Sequence, residues 1–553
     1  MSFESDGDVA TSGEDDHISE RSENSDTEQE LSDLEDAEEV QEQWLGKDGT
    51  VWSKEPARTN VRYRAENIVK IKPGVSQELR HVKDIVSCWE AFLTPAILQI
   101  IVECTNQHIE QRQININDEN SKRYIMKQTN IDEIKALFGL LYLAGLFRSN
   151  KQQATDLWRD DGTGIEIFRQ TMPIRRFYFL MSSLRFDDKT TRAERKKLDN
   201  LAPFRDIFDL FVERCKTSYS PNVIVTIDEM LPSFRGRCKF RQYIPNKPSK
   251  YGIKLQAMVD NTNYYTINLE VYCGKQPVGP YECSNKAVDV VERLIQPIRL
   301  TNRHVTFDNW YYTQDLAKKL LHNHKLTMVA TMRKNKPEIP KNFLQTRGRE
   351  VTSTLFGFQK DLTIASYVPR KGKIVLVAST LHHDGTIDLS SGEKKKPEMI
   401  TFYNSSKGGV DIVDQMCSAY DVTRNTQRWP MVLLGAILNI GCINAKIMHD
   451  ENNSCNLKRS EFIRLLSLEL IKPYRHQRQS RPTASSTPEP STNEPPNKQY
   501  KSKGRCTLCP RNRDRKVRSV CNSCKNVVCK EHSIQVLVCN QCAQQASSSD
   551  SDY

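Results

Sequence analysis

Basic residues are almost missing from the first 43 positions, which hold seventeen Asp and Glu against a single Arg21, a local charge of −16. The same stretch is rich in Ser and poor in aromatics, so it has too little to bury and is expected to stay unstructured. The N-terminus lacks a basic stretch followed by an apolar one, and a secretory leader is not expected. No apolar run reaches the roughly 20 residues that a membrane-spanning helix requires. The longest, MVLLGAILNIGCINA at 431–445, is interrupted by Asn439 and Asn444 and reads as a buried core helix. Internal repeats are absent. Cysteine is thin along most of the chain: seven of the sixteen crowd into 506–542, and the other nine are scattered, as in a reducing compartment.

Acids are absent from another place. Between Glu229 and Asp260 there is none, while Arg235, Arg237, Lys239, Arg241, Lys247, Lys250 and Lys254 fill the interval. The 553-residue chain carries +11, so the part after the acidic tail stands near +27. So basic a body points to a polyanionic partner, of which nucleic acid is the commonest; a solvated surface of scattered lysines is the alternative. The tail itself reads as an internal competitor for that basic surface. Ser12, Ser25 and Ser32 each have an acid three residues later, a pattern that suits acidophilic kinases, and a plain solubilising tail is equally compatible.

Length predicts several domains. Residues 75–220 read as helical. The segment 94–110 starts at a Thr-Pro boundary; 131–145 follows Thr129 and Asn130 as capping residues; 201–215 places Phe204, Ile207, Phe208 and Phe211 on one face. The period then changes. Residues 223–228, 251–260 and 264–273 read as three strands, 285–297 as a helix, 304–308 as a fourth strand, 313–322 as a helix and 326–332 as a fifth strand. That order is the order of a ribonuclease-H-like core. Residues 336–397, with strand-like runs at 361–369 and 373–381 and the polar SSGEKKKPE, interrupt it as a β-rich insertion. A helical pattern resumes to about residue 470. The Pro, Ser and Thr of 476–505 form a linker, opened by Arg475, Arg478 and Arg481, which read as a nuclear-import patch or a DNA-contacting edge.

Asp228 and Asp308 each end an apolar run of the same style, VTID and VTFD. In the core order just described the first and fourth strands are neighbours, so these ends would meet. KGGVDIVDQM at 407–416 supplies further acids: Asp411 and Asp414, three residues apart, share a helical face, and Gly408 and Gly409 allow a close backbone approach. Three carboxylates can hold two divalent cations about 3.5–4 Å apart for phosphoryl transfer, and Mg²⁺ suits oxygen ligands. Structural capping of strand and helix ends is the bland reading of each acid alone.

The stretches IDEMLPSFRGRCKFRQYIPNKPSKYGIK, VTFDNWYYTQDLAKKLL, YNSSKGGVDIVDQMCSAY and TRNTQRWPM resemble the piggyBac family of DNA transposases, from about residue 75 to the C-terminus. The resemblance implies a multidomain protein of mixed α and β structure. Its parts are an acidic region and linker at 1–74, a helical dimerisation and DNA-binding domain at 75–221 and 422–475, and a ribonuclease-H-like mixed-sheet catalytic core at 222–335 and 398–421. The insertion at 336–397, a linker at 476–503 and a cysteine-rich zinc domain at 504–545 complete it. The resemblance further implies a triad of Asp228, Asp308 and Asp411 on two Mg²⁺ ions, with Asp414 close by. The implied activity is cut-and-paste transposition: cleavage at terminal inverted repeats, hairpin formation and joining at TTAA, by a homodimer in the nucleus. Arg235, Arg237, Lys247, Lys250, Lys254, Arg333, Lys336, Arg424 and Arg428 are then candidate DNA contacts, with Lys334 and Trp429 beside them; Tyr243 and Tyr251 either stack on DNA or pack in the core.

Four pairs close the chain: CTLC (506–509), CNSC (521–524), CKEH (529–532) and CNQC (539–542). Eight N/S ligands at this spacing fit two tetrahedral Zn²⁺ sites; a disulfide framework is the alternative. In a cross-brace Cys506, Cys509, Cys529 and His532 share one ion, and Cys521, Cys524, Cys539 and Cys542 the other. So small a domain needs the metal to hold its fold. The bases at Arg511 and Arg515, with Arg513, Lys516 and Arg518, favour DNA over the protein contacts of a ubiquitin-ligase RING. Whether the chain transposes, or is a domesticated DNA- or chromatin-binding derivative, its own residues leave open.

Overall fold

Side-chain-rich, β-branched runs of the middle of the chain pair as their period requires, and helices cover them on both faces. The computed structural model describes residues 43–56, 67–114, 126–245, 247–480, 504–510, 516–517 and 527–533, with the backbone of Ser19–Glu20 and Gln29–Glu30. These fall into two units, 1–481 and 482–553.

In the first unit a run of helices precedes the main sheet. α1 (Pro95–Ile114) begins at the Thr-Pro boundary, and α2 (Ile131–Leu146) is capped by Asn130, whose side chain accepts from Glu133 N. α3 (Arg205–Ser218) buries Ile207, Phe208 and Phe211 as the pattern predicts. Five strands follow: β1 (Ile224–Met230), β2 (Leu255–Asp260), β3 (Thr266–Val271), β4 (His304–Phe307) and β5 (Thr327–Thr331). Their order is β3-β2-β1-β4-β5, antiparallel up to β1 and parallel from β1 through β5. Every residue of β2 is buried, the signature of a strand covered on both faces. α4 (Ala287–Leu294) and α5 (Gln314–His322) make the crossovers.

The insertion does not fold apart from this sheet. It contributes three strands, β6 (Thr354–Phe358), β7 (Thr363–Arg370) and β8 (Lys373–Ser379), one more than its sequence signals. β8 pairs antiparallel with β5, Val329 opposite Ser379, so the sheet runs on through β8, β7 and β6. Beyond β6 a hairpin of Gln43–Leu45 and Val51–Ser53 joins at Ser53 opposite Phe358.

That hairpin corrects the reading of 1–74 as tail and linker. Trp52 is fully buried and its Nε1 donates to Glu338 O at 2.9 Å, while Trp44 Nε1 donates to Phe356 O at 2.9 Å. Two large aromatics with satisfied N–H groups give this short piece enough to bury. Upstream, Ser19–Glu20 pairs with Gln242–Tyr243 and Gln29–Glu30 with Lys373–Ile374, two points of order in the expected unstructured tail. Ser12, Ser25 and Ser32 lie outside the described residues.

α6 (Glu398–Ser406) and α7 (Gly409–Ala419) return the chain to the sheet, and α8 (Trp429–Asn453) and α9 (Arg459–Gln479) complete the helical part. α8 is the one described helix apolar and long enough to cross a membrane, and it is mostly buried, as a core helix is. α9 packs along α2, where a Cβ on Gly139 would stand 2.8 Å from Ser467 O. Nearby, buried Glu133 accepts from Arg176, from Tyr474 at 2.6 Å and from Thr129 at 2.8 Å, which joins chain segments on either side of the core. α9 also extends into the expected linker, and Arg475 and Arg478 bond Gln170 and Thr171 from it.

Two buried histidines make the fold acid-sensitive. His108 Nε2 lies 2.8 Å from the Arg185 guanidinium, a donor only, so the ring must accept and stay neutral. Burial pushes His108 down to about 3, and burial pushes His304, bonded to Thr327 Oγ1, down to about 4. In the unfolded chain both take a proton near pH 6.5. Stability is therefore full above that value and falls as pH drops toward 4, by up to about 1.4 kcal/mol per pH unit for each ring. Urea unfolding at pH 7, 6 and 5 should show the decline, and His304→Gln should make it shallower, leaving the part due to His108.

Candidate active site

β1 and β4 run side by side with Ile227 opposite Phe307. The next residue of each is an acid at the same level: Asp308 directly follows β4, and Asp228 lies within β1, opposite Ala257 of β2. Each carboxylate is oriented locally: Asp228 Oδ1 accepts from Glu229 N at 2.7 Å, and Asp308 Oδ1 accepts from Trp310 N at 2.9 Å.

A hydroxyl junction brings the third acid to them. Thr226 Oγ1 donates to Ser406 O at 2.6 Å, and Thr306 Oγ1 meets Ser406 Oγ at 2.8 Å. These bonds hold the end of α6 across β1 and β4, so α7 starts over the strand ends with Asp411 in its first turn. Gly409 makes the approach possible, for a Cβ there would stand 2.7 Å from Thr226 Oγ1. The paired Thr of VTID and VTFD are the residues that sequence reading missed, although their equal spacing from the two acids was a usable signal.

The gathered carboxylates act on one another. Burial raises Asp228 well above the carboxylate range, and Glu229, Asp308 and Asp411 raise it further. Burial also raises Asp414, with Asp411 and Asp421 adding to it. Lys247 opposes both shifts. Its Nζ is 3.0 Å from Asp411 Oδ1, and the side chain is 16% exposed. Burial works against its charge, but Asp228, Asp411 and Glu229 outweigh that and hold the ammonium above lysine's usual range. The oxygens of Asp228, Asp308 and Asp411 converge without closing on a single point within 4.8 Å of one another, unlike the cysteine group below. An all-oxygen donor set rich in carboxylates fits hard divalent cations.

The basic segment lies beside these acids in alternation. Phe234, Gly236, Cys238 and Phe240 are buried; Arg235, Arg237 and Lys239 between them are exposed. Lys250 is exposed as well. Lys254 is a correction: it is buried, with Nζ 3.7 Å from Glu229 Oε2 and 4.5 Å above the Trp310 ring, so it faces the interior. Tyr243 and Tyr251 pack on each other at 4.8 Å. Arg333 donates to Asn309 Oδ1 at 3.2 Å, beside Asp308, and Lys336 sits 5.9 Å over Tyr312. Arg424 donates to the carbonyls of Ser149 and Gln152, and Arg428 to those of Ser182 and Leu184. Both guanidiniums thus tie helical segments together. Trp429 packs edge-on against Phe240 at 5.1 Å.

In the second unit Cys506, Cys509, Cys529 and His532 come together, all ligand atoms within 4.8 Å. His532 Nδ1 lies 3.7, 3.5 and 3.3 Å from the sulfurs of Cys506, Cys509 and Cys529. Such edges suit a tetrahedron with metal bonds of about 2.0–2.3 Å, and the three cysteines are free thiols. This is one of the two expected ligand sets. Cys521, Cys524, Cys539, Cys542, Arg511 and Arg515 lie outside the described residues. In the first unit a smaller group, His449, Asp450 and Cys455, ends α8, where Lys446 already supplies Asp450 with a cation.

A family model described as Transposase IS4 matches residues 84–446. The human PiggyBac transposable element-derived protein 3 is 22% identical over 356 residues, covering 62% of this chain and 57% of that protein. The human chimeric ERCC6-PGBD3 protein is 22% identical over the same length, 32% of its own. The chain thus spans little more than half of the first of these relatives. A piggyBac transposase solved by cryo-electron microscopy as a synaptic complex with hairpin DNA superimposes with a TM-score of 0.70 at 36% identity, over 84% of this chain and 98% of that one.

Two substitutions probe the geometry. Gly409→Ala should cost about 1–3 kcal/mol in urea unfolding, because Thr226 is pinned and cannot yield. Gly408→Ala, where a Cβ meets only Ile412 at 3.9 Å, should be near neutral. In the second unit, bound zinc measured by atomic emission should fall in Cys529→Ser, and a chelator should unfold that unit while leaving the first intact.

Proposed function

Since the chain belongs to the piggyBac-type transposase IS4 family, we propose that it is a cut-and-paste DNA transposase, excising through a hairpin from terminal inverted repeats and inserting at TTAA. The observation that carries the reading is the convergence of Asp228 in β1, Asp308 just after β4 and Asp411 in the first turn of α7, near enough to act on one another. Asp228, Asp308 and Asp411, with Asp414 nearby, are the residues that would hold two Mg²⁺ ions. Bound there, the ions would activate the attacking oxygen and stabilise the leaving one.

The chain's own residues do the rest. The exposed Arg235, Arg237, Lys239 and Lys250 draw a phosphate backbone along the segment that leads from Asp228. Arg333, held by Asn309 next to Asp308, is placed to steady a phosphate at the other side of the acids. Thr226, Thr306 and Ser406 keep the three carboxylates in register while DNA strands are exchanged. The solved relative's complex with hairpin DNA supports hairpin chemistry and a paired assembly, and we take this chain to act as a homodimer in the nucleus. Two zinc ions would stabilise the terminal domain, which adds affinity for the repeat ends. The matched human relative named as transposable element-derived keeps a second reading open: a DNA-binding derivative that no longer moves anything.

Excision from a donor plasmid carrying the cognate ends decides between them. Asp228→Asn, Asp308→Asn and Asp411→Asn should each abolish strand cleavage and leave end binding intact, since the amide keeps shape and loses the charge a metal needs. Near-normal excision by one of them would remove that residue from the triad. No cleavage by the unaltered chain on any piggyBac-type end would favour the derivative.

A further inference from the structure

Lys247 is placed oddly for a groove lysine. Its ammonium does not point along the exposed stripe of Arg235, Arg237 and Lys239 but into the acids, 3.0 Å from Asp411 Oδ1. The groups that face it are Asp228, Asp411 and Glu229, with Asp414 also within its field. Glu229 has a cation of its own in Lys254. The carboxylate pair Asp228 and Asp411 therefore receives from Lys247 the positive charge that a divalent ion would bring. We propose that Lys247 and the metal compete for these oxygens, so that metal loading turns Lys247 out of the acidic site and into reach of a DNA phosphate. The inference rests on the metal reading of the triad given above.

Local backbone geometry favours a swing of the side chain over a movement of the loop. Lys247 sits between the two strands of a hairpin, Arg241–Tyr243 and Tyr251–Ile253. The turn is closed by Lys247 N to Ile244 O at 3.2 Å, Lys250 N to Lys247 O at 3.0 Å and Ile244 N to Lys250 O at 2.8 Å. Pro245 and Pro248 fix φ on either side of the lysine, and Lys250 takes the left-handed conformation at φ +50° that the tight turn needs. The four-carbon stem is the free element. Turned outward, it would bring the ammonium to the rim formed by exposed Pro245, Pro248 and Lys250. An ammonium on a flexible stem can serve a carboxylate or a phosphate equally well, which a guanidinium fork held by two partners cannot do as readily.

Two consequences follow from the shared site. Without metal, Lys247 keeps the cluster of acids from repelling the strand ends apart. With metal, the same lysine is a new DNA contact, so metal and DNA should each strengthen the binding of the other by an equal factor.

The experiment uses full-length protein in two arms. In the first, Mn²⁺ is titrated without DNA and followed by electron paramagnetic resonance, comparing the unaltered chain with Lys247→Met, which keeps the stem and loses the charge. We expect Mn²⁺ to bind Lys247→Met about tenfold more tightly, roughly 1.4 kcal/mol. Binding with equal or lower affinity in the variant overturns the competition, whereas absence of Mn²⁺ binding to both proteins, with Asp228→Asn behaving alike, sinks the metal reading itself. The second arm needs no variant and so is independent of folding: the unaltered chain is acetylated with a short pulse of reagent, with and without Mg²⁺, and modification of Lys247 is read by mass spectrometry against Lys250. Labelling of Lys247 should rise severalfold with Mg²⁺ while Lys250 stays constant. Unchanged or reduced labelling of Lys247 overturns the proposal.

Discussion

Mutual repulsion between carboxylates is the constraint around which the first unit is arranged. Asp228, Glu229, Asp308 and Asp411 stand near enough to raise Asp228 well out of the usual carboxylate range, after burial has already done so. A cluster of that kind persists only where the surrounding backbone leaves it no room to spread. Here the restraint is made of parallel strand pairing between β1 and β4, of two threonine hydroxyls spent on Ser406, and of a glycine where any side chain would strike Thr226. None of these groups carries the chemistry. Each removes one way for the acids to separate, and the positive charges of Lys247 and Lys254 lower the remaining tension.

The helical part answers a different demand. Its segments come from both ends of the first unit, so their packing must be specified across several hundred residues of intervening chain. Glu133 does this with directional bonds to Arg176, Tyr474 and Thr129, and Arg424 and Arg428 do it with backbone carbonyls of the opposite segment. Buried charge is a costly way to join helices, but each partner here is hydrogen-bonded, and the donors and acceptors admit few alternative registers.

Much of this was legible in the residues alone. The five strands, their order and the meeting of Asp228 with Asp308 follow from apolar period and from the repeated VTID and VTFD. Those signals are local and most residues in them are buried, so periodicity and packing agree. What was not legible depends on register or on distant partners. Lys254 and Lys250 look alike in a run of bases; only the pairing of β2 with β1 turns Lys254 inward beside Glu229. Arg424 and Arg428 read as candidate DNA contacts, and only the fold brings the carbonyls at 149–184 to them. The Trp44 and Trp52 hairpin lies next to an acidic stretch that dominates any composition-based reading, and its two strands are too short to show a period. Of the cysteine cluster, four residues grouped by spacing, Cys506, Cys509, Cys529 and His532, are brought together by the fold, because chelate geometry is itself a matter of spacing.

The way the insertion joins the sheet bears on how this architecture came to vary. The chain leaves β5 at Met332, whose N–H donates to Leu376 O at 2.9 Å, and Thr380 N on the far side donates back to Met328 O at 2.9 Å. Departure and return are thus hydrogen-bonded neighbours, and everything between them is topologically the tip of one antiparallel hairpin. A lineage can lengthen, shorten or replace such a tip by small steps without ever displacing the strands that bear Asp228 and Asp308. The acids and the added strands are then free to diverge at different rates, one under the discipline of geometry and the other open to experiment.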